Sequence, residues 1–569
     1  MFKAAHCNSI LLSTFRNDPG CVLPRRSGKK GAAAIDEQIM QKIIEDVRGL
    51  ANSASGSATT GMSTSASPSG TPVGPPAAAV SPSSAPAAAL SWTRTALDSL
   101  PHKDHWSSVG VLLDGGVSVA WGMWWDWPQS AGDSVEGVKL GPWAVWTSGD
   151  GLTWTRAPHP PVRESASIVG VVRWKHELVA VGIEGSRPAG QGTFAFDHPV
   201  TWVSRGAMVW RRSAGQVSLR YAGGADRNHG TGVSDVAAAG RYLVMTGNDY
   251  WNYASHSVAR IRTSTDGLTW TRADVGGDAK NTYISALVTG GPVLVALGES
   301  WKAADDPAVQ PAIWTSVGGL VWEPADASAM GSAANGWDIG IIAGGSGFVA
   351  YGRAAPSERT PTTWGRGVGP VAIWTSRDGR TWKRVGDPGF GPSAEIIGVA
   401  AAGSALIAYG QEGGVIGGEY SQAWKSYWGY APHWGHAAVW TSSDGLRWRK
   451  AEGFPALDSG KTPASDPKLP GDTTVFSVTR VGGRWVALGV RTVSQAETES
   501  AGLTSGRSGR LLLWTSADAE RWTPYLGDPL VDGYALSPPV ASQGRLLVVG
   551  RDEGLGRVCA WSARPPASP

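Results

Sequence analysis

Five aspartates recur in one short context along this sequence, and carboxylates repeated at a fixed spacing could serve as general acids or as cation ligands. They are Asp150, Asp266, Asp378, Asp444 and Asp518. Each stands two residues after a serine and four residues before a tryptophan. The copies are spread over most of the chain, so carboxylates on successive repeats cannot converge on one site. We therefore predict a structural turn for them, and no catalytic or metal-binding role.

The aspartates belong to a longer repeat, close to Trp-Thr-Ser-x-Asp-Gly-x-x-Trp, whose copies define the units of the fold. Six clear copies begin at Val145, Ile261, Ile313, Ile373, Val439 and Leu513. In the copy at Ile313 the aspartate is replaced by Gly318. A worn copy is aligned from Met208, with Trp210 as its first tryptophan and Leu219 in place of the second. The residues assigned to the repeated turn are Asp150, Trp154, Asp266, Trp270, Trp322, Asp378, Trp382, Asp444, Trp448, Asp518 and Trp522.

An eighth copy is split between the two ends of the chain, with its first half at residues 560–563 and its second at 90–94. A second count rests on an apolar segment that ends in glycine ahead of each copy. These glycines are Gly122, Gly182, Gly247, Gly298, Gly352, Gly410, Gly489 and Gly550. Both counts predict an all-β propeller of eight four-stranded blades, each with strands A to D. The ring is closed when strand 90–95 pairs with 558–562; seven blades remain an alternative if the worn copy is an insertion.

The repeat resembles the Asp-box (BNR) repeat, Ser-x-Asp-x-Gly-x-Thr-Trp, of sialidases and other propellers. The resemblance covers residues 90–566, with one residue fewer between aspartate and tryptophan than in the family pattern. It implies a sialidase-like β-propeller in which the box is structural and lies on the face opposite the active centre. We call the face with the A–B and C–D turns the box face, and the face with the B–C and D–A connections the loop face.

Composition divides the chain into three regions and excludes several classes of function. Residues 1–50 form an extension with an amphipathic helix predicted at 35–50, which could bind a partner or dock on the chain itself. Residues 51–89 are an Ala/Ser/Pro/Thr-rich linker predicted to be disordered, and 90–566 form the propeller. The linker raises the possibility of export, although the sequence has no convincing signal peptide or membrane span. A formal net charge of +3 favours no nucleic-acid partner.

Cysteine and histidine usage predicts neither a disulfide framework nor a bound cofactor or metal. The chain has three cysteines, of which Cys559 is expected to be a small buried residue on a strand. A bond between Cys7 and Cys21 stays open. His433 and His436, with Glu419 upstream, lack a third ligand nearby.

Aromatic residues are concentrated in the insertions between strands B and C, which are predicted to lie on the loop face. They are Trp124, Trp125, Trp127, Tyr250, Trp251, Tyr253, Trp301, Trp364, Trp424, Tyr427, Trp428, Tyr430 and Trp434, with Asp126 among them. Rings with an apolar face and a polar edge suit both sugars and protein hot spots. We predict a non-catalytic module that binds a glycan or a protein there.

The alternative is a glycoside hydrolase or lyase with its site on the same face. Glycosidases use two carboxylates, and Asp126, Asp249, Glu299 and Glu412 qualify by loop position alone. The sialidases that the repeat resembles also use three arginines, a Tyr–Glu pair and an aspartate. Candidate arginines near this face are Arg163, Arg187, Arg353 and Arg551, but an Arg-Ile-Pro type signature is absent.

Overall fold

Strand pairing arranges the chain in eight antiparallel four-stranded blades that follow one another around a ring. The computed structural model describes residues 88–89, 91–97, 106–126, 139–140, 143–158, 160–161, 165–185, 198–214, 229–251, 256–277, 280–301, 309–331, 339–345, 347–353, 370–412, 435–454, 473–492, 508–552 and 557–564. All of these residues belong to one compact unit. The eight-bladed propeller predicted from the repeats is confirmed, and the alternative of seven blades is wrong.

The strands are numbered along the chain, starting with β1 (Ala88–Ala89) and β2 (Trp92–Ala96). Blade 1 contains β3 (Trp106–Asp114), β4 (Val117–Asp126), β6 (Ala144–Ser148) and β7 (Thr155–Arg156), with a short β5 (Lys139–Leu140) paired to β4. Blade 2 contains β8 (Ser165–Trp174), β9 (Glu177–Gly185), β10 (His198–Ser204) and β11 (Trp210–Arg212). Blade 3 contains β12 (His229–Ala239), β13 (Tyr242–Trp251), β14 (His256–Ser264) and β15 (Thr271–Arg272).

The second half of the ring repeats this order. Blade 4 contains β17 (Thr282–Gly290), β18 (Val293–Trp301), β19 (Val309–Val317) and β20 (Val321–Pro324), with β16 (Asp274–Val275) parallel to β20. Blade 5 contains β21 (Gly340–Gly344), β22 (Gly347–Arg353), β23 (Val371–Ser376) and β24 (Lys383–Arg384). Blade 6 contains β25 (Glu395–Ala402), β26 (Ala405–Glu412), β27 (His436–Ser442) and β28 (Arg449–Lys450). Blade 7 contains β29 (Thr473–Val481), β30 (Arg484–Thr492), β31 (Ser508–Ser516) and β32 (Thr523–Leu536).

Blade 8 is assembled from both ends of the chain. It contains β33 (Val540–Ser542), β34 (Arg545–Asp552), β35 (Arg557–Ala563) and, as strand D, the early strand β2. Arg94 lies opposite Trp561 in this pairing and donates a hydrogen bond to Asp552 over 2.8 Å. The split repeat therefore closes the ring as predicted, and Cys559 of β35 is fully buried.

Helical structure is nearly absent from the described residues. They contain one short 3-10 helix, Ser328–Met330, and no helix long and apolar enough to cross a membrane. The helix predicted at 35–50 and the linker at 51–89 lie outside the described residues, apart from Ala88 and Ala89. Cys7 and Cys21 lie outside them too.

The worn copy of the repeat is in a different register from the one predicted. Trp202 of β10 lies opposite Ala180, as Trp146 of β6 lies opposite Ala120. Trp202 is therefore the first tryptophan of this copy, and Trp210 is the second. The alignment from Met208, with Leu219 in the position of the second tryptophan, was wrong because the turn between the two indoles lacks the aspartate and glycine of the other copies. Gly206 takes the place of the aspartate, and Ala207, with φ 62°, takes that of the glycine.

In four blades, a β-bulge in strand A explains why strand B carries a glycine. In blade 4 the bulge between Ile284 and Ala286 pushes the Tyr283 carbonyl toward strand B. A Cβ on Gly298 would lie 1.9 Å from that oxygen. The same close approach, at 2.0 to 2.2 Å, occurs at Gly247, Gly410 and Gly489. A glycine is needed wherever a bulged strand A crosses this position.

Neighbouring blades are joined by tryptophans from strand C. Seven blades place a tryptophan at the same position, and none is more than 3% exposed. They are Trp146, Trp202, Trp314, Trp374, Trp440, Trp514 and Trp561. Trp314 of blade 4, for example, packs with Val244 and Ile261 of blade 3. We call the interface between two neighbouring blades a seam. Blade 3 differs, because Arg262 takes the place of the indole.

Gly298→Ala should lower the free energy of unfolding by about 2–3 kcal/mol, because the added methyl group would clash with the Tyr283 carbonyl. Gly149→Ala is the matched control, since nothing lies within 4 Å of its added Cβ. Urea denaturation of both variants measures the difference. Equal stability of the two variants would contradict the bulge explanation.

Candidate functional site

The repeated aspartates bind the backbone of their own turns. In blade 5, Asp378 Oδ1 accepts hydrogen bonds from the backbone N–H groups of Arg380 and Thr381 at 2.8 and 2.9 Å. The Ser376 hydroxyl donates to the same oxygen over 3.0 Å and accepts the Gly379 N–H. Equivalent bonds are made by Asp150, Asp266, Asp444 and Asp518.

These hydrogen bonds favour the ionised carboxylate. The N–H of Thr381 is the main cause that lowers the pKa of Asp378 below its usual value, against the opposing effect of burial. The pKa of Asp150 is held well below its usual range by the N–H groups of Thr153 and Leu152. For Asp266 burial is the largest influence and raises the pKa, but the N–H bonds outweigh it and the pKa is lowered.

The tryptophan after each turn is hydrogen-bonded to the turn as well. Trp382 Nε1 donates to the Gly379 carbonyl over 2.9 Å, and Trp522 Nε1 to the Ala519 carbonyl over 2.8 Å. Gly379 has φ 76°, and a Cβ there would lie 2.6 Å from Val295 of the preceding blade. The five carboxylates lie on blades 1, 3, 5, 6 and 7, so each is surrounded by its own turn.

The structure places six of the fourteen positions predicted for the loop face, all at the ends of B strands. Trp124, Trp125 and Asp126 end strand β4, Tyr250 and Trp251 end β13, and Trp301 ends β18. The others lie outside the described residues. They are Trp127, Tyr253, Trp364, Trp424, Tyr427, Trp428, Tyr430 and Trp434.

The six placed residues stand on extensions of the B–C hairpins. Strand pairing continues past the strand-B glycine to Asp126 opposite Lys139 in blade 1 and to Trp251 opposite His256 in blade 3. In blade 4 it continues to Trp301 opposite Val309. Their backbone is therefore fixed by hydrogen-bonded ladders, which a free loop lacks.

In blades 2, 6 and 8 a carboxylate stands two residues after the strand-B glycine. Glu184 accepts hydrogen bonds from Arg212 of the same blade, with Nε at 3.1 Å. Glu412 is paired with Lys450 and Asp552 with Arg94 in the same way. Each cation stands two residues after the second tryptophan of its repeat. This pairing was not predicted, although the recurrent Trp-x-Arg or Trp-x-Lys is visible in the sequence.

Blade 3 departs from this one-to-one pairing. Asp249 Oδ2 accepts from Arg260 Nε over 2.6 Å, and Oδ1 accepts from the Thr231 hydroxyl over 3.1 Å. Arg262 NH2 lies 3.8 Å from Asp249 Oδ1, beyond hydrogen-bond distance. The Arg262 residue is 2% exposed, and neither of its terminal nitrogens has a hydrogen-bond partner among the residues that the structure describes.

Arg262 is nevertheless charged at neutral pH. Burial lowers its pKa to about 10, while Asp249 raises it and Arg260 and Arg272 lower it further. Arg272 lies directly opposite Arg262 on strand D. Arg260 and Arg262 therefore lie beside one carboxylate, and Arg272 adds a further positive charge near Arg262. The sequence pattern included Arg262 only as part of one copy of the repeat, although the replacement of the first tryptophan by arginine was visible.

The remaining polar candidates that the structure describes, Glu299, Arg353 and Arg551, lie on three different blades. Glu299 is 4% exposed. Arg353 NH2 lies 4.0 Å from Glu395, whose other oxygen accepts from Gln411 over 2.6 Å. Arg551 is 8% exposed, and Arg163 and Arg187 lie outside the described residues. No group of three or more His, Cys, Asp or Glu side chains in the described part of the chain could hold a metal ion.

Comparisons with known proteins add no family. The sequence matches no family model and no curated protein sequence. Among solved structures, a Trypanosoma rangeli sialidase mutant with trans-sialidase activity is 13% identical, with 85% of this chain and 94% of that chain covered and a TM-score of 0.30. The Bombyx mori GH32 β-fructofuranosidase is 12% identical, with 81% and 92% covered and a TM-score of 0.27.

A Dyadobacter fermentans protein of unknown function is 14% identical, with 57% of this chain and 94% of that chain covered and a TM-score of 0.33. Likenesses at these values assign neither a family nor an activity. The propeller fold rests on the strand pairing described above.

The Asp turns should make stability sensitive to acid. An aspartate with a lowered pKa stabilises the folded state at pH values above its unfolded value, and that contribution is lost as the pH falls through the folded value. The free energy of unfolding of the wild type, measured by urea denaturation, should therefore fall steeply below pH 3.8, the ordinary pKa of an aspartate.

Asp378→Asn should flatten this acid dependence and lower stability at pH 7 by about 1 kcal/mol, because a neutral amide accepts more weakly than a carboxylate. Arg377→Gln, an exposed change beside the same turn, is the control and should retain the wild-type slope. An Asp378→Asn variant with an unchanged acid slope would show that the turn carboxylate does not carry the effect.

Proposed function

We propose that this chain is a non-catalytic binding module whose loop face takes a glycan or protein ligand on aromatic side chains. The observation that carries the proposal is the position of Trp124, Trp251 and Trp301 at the ends of strand B in blades 1, 3 and 4. Each stands on a hydrogen-bonded hairpin extension of a rigid ring.

This placement favours binding for a physical reason. An aromatic side chain on an ordered strand loses little conformational freedom when a ligand packs against it, so more of the contact energy is retained as affinity. Indoles offer a broad apolar face for a sugar ring and an N–H donor at the edge. Aromatic anchors also dominate protein interfaces.

The ion pairs formed by the carboxylates that follow the strand-B glycines favour binding over glycoside hydrolysis. Hydrolysis needs one carboxylic acid and one free carboxylate on either side of the scissile bond. Glu184, Glu412 and Asp552 are each paired with a cation of their own blade. Asp249 is held by Arg260 and Thr231. These interactions hold each carboxylate beside a cation of its own blade.

In this proposal the Asp turns have a structural role, which fits their resemblance to Asp-box repeats. Each carboxylate accepts hydrogen bonds from two backbone N–H groups through Oδ1, which ties it to its own turn. The turns lie at the opposite ends of the strands from Trp251 and Trp301. The box face thus supports the ring, and the loop face is available for recognition.

The test is binding of the full chain to a glycan array and to candidate proteins in pull-downs. A triple variant, Trp124→Ala with Trp251→Ala and Trp301→Ala, should lose at least about tenfold in affinity for any ligand found, since each aromatic anchor contributes on the order of 1–2 kcal/mol. Its thermal unfolding should stay close to that of the wild type.

Val209→Ser with Val317→Ser is the matched control. These exposed valines lie on the box face, 71% and 70% exposed, and should leave binding unchanged. Full affinity of the triple variant would contradict the proposal. Turnover of chromogenic glycosides that is lost in Glu412→Gln would replace it with the hydrolase alternative.

A further inference from the structure

At the seam between blades 2 and 3, positive charges outnumber the carboxylate beside them. Arg262 is buried, Arg260 is partly buried and Arg272 is exposed. In blades 2, 6 and 8 the carboxylate after the strand-B glycine has one cationic partner from its own blade. In blade 3 the carboxylate of Asp249 lies near both Arg260 and Arg262, and Arg262 also interacts with the positive charge of Arg272. Blades 2, 6 and 8 serve as the reference for blade 3, because all four blades share one strand arrangement.

The three arginines lie on one face of blade 3. Arg260 and Arg262 are two residues apart on β14, and Arg262 lies opposite Met245 on strand B and Arg272 on strand D. Met245 packs with Val181 and Ile183 of blade 2, so this face is turned toward blade 2. The cluster sits on strands C and D, away from the ring axis, where the A strands meet.

Arg262 is the most demanding member of the cluster. Its side chain is 3% exposed, and a guanidinium has five donors that need acceptors when removed from water. Seven other blades fill this position with an apolar indole. Three of those indoles donate to a backbone carbonyl of the preceding blade's D–A connection, as Trp314 does to Gly276.

We propose that this seam binds an oxyanion group, a sulfate, phosphate or carboxylate, on the guanidinium of Arg262 with Arg260 and Arg272 beside it. An oxyanion supplies both the acceptors that the terminal nitrogens of Arg262 lack and the negative charge that Asp249 alone does not balance. A planar guanidinium matches two oxygens of such a group in parallel hydrogen bonds.

The site has contact with solvent through its upper members. The side chains of Arg260 and Asp249 are 14% and 20% exposed, and Tyr250 and Trp251 follow Asp249 directly on β13. The anion can therefore be a free ion or an acidic group of a larger ligand on the loop face. Both sources share the oxyanion chemistry, and the proposal does not depend on the role of the aromatic residues.

The experiment is isothermal titration of the full chain with sodium sulfate, sodium phosphate and sodium glucuronate at constant ionic strength, with glucose as the uncharged arm. At least one oxyanion should bind the wild type with one-to-one saturation. Arg262→Trp, which restores the residue of the other blades, should weaken that affinity at least about tenfold. A response to glucuronate alone would point to an acidic sugar as the source.

Arg205→Gln removes an exposed arginine on the box face and should bind as the wild type does, which separates the site from general anion effects such as salting-out. Arg262→Met serves the same purpose as Arg262→Trp if the tryptophan variant fails to fold. The proposal is overturned if none of the three oxyanions binds the wild type, or if binding survives unchanged in the Arg262 variants.

Discussion

The packing of a strand-C indole against the preceding blade is the interaction on which the rest of the structure depends. A four-stranded sheet exposes two apolar faces and cannot bury both alone, so every blade needs a neighbour on each side. Seven tryptophans, none more than 3% exposed, provide that contact around the ring. The Asp turns, the positive-φ glycines and the second tryptophans keep the C–D hairpins in the geometry that seats these indoles.

Tryptophans occupy two kinds of position in this chain. The indoles of strand C pack in the seams, whereas Trp251 and Trp301 stand at the ends of their B strands, where we propose that a ligand binds. Closure by β2 adds a further constraint, because Arg94 from the start of the propeller pairs with Asp552 near its end. A ring fixed in this way can present long B–C connections without losing its shape. The proposed ligand face depends on that rigidity.

Much of the fold could be predicted from the sequence because the repeat is periodic and its two tryptophans are eight residues apart. The split copy even predicted the closure with the strand at Trp92. The second blade was misaligned because Gly206 and Ala207 had replaced the two residues that mark the turn. The bulge beside Gly298 and the pairing of Arg212 with Glu184 depend on contacts between strands. A linear pattern does not reveal such contacts. Arg262 belongs to a recognised repeat. That its terminal nitrogens lack hydrogen-bond partners among the described residues becomes visible only when its neighbours and burial are known.

The most direct test of this account compares two tryptophan truncations by urea denaturation. Trp374 is 1% exposed, packs in a seam and donates to the Ala329 carbonyl over 3.0 Å. Trp374→Ala should therefore lower the free energy of unfolding by about 3–5 kcal/mol. Trp301→Ala, at the loop-face end of β18, should change it by less than about 1 kcal/mol. Equal losses in the two variants would contradict the separation of seam tryptophans from ligand-face tryptophans.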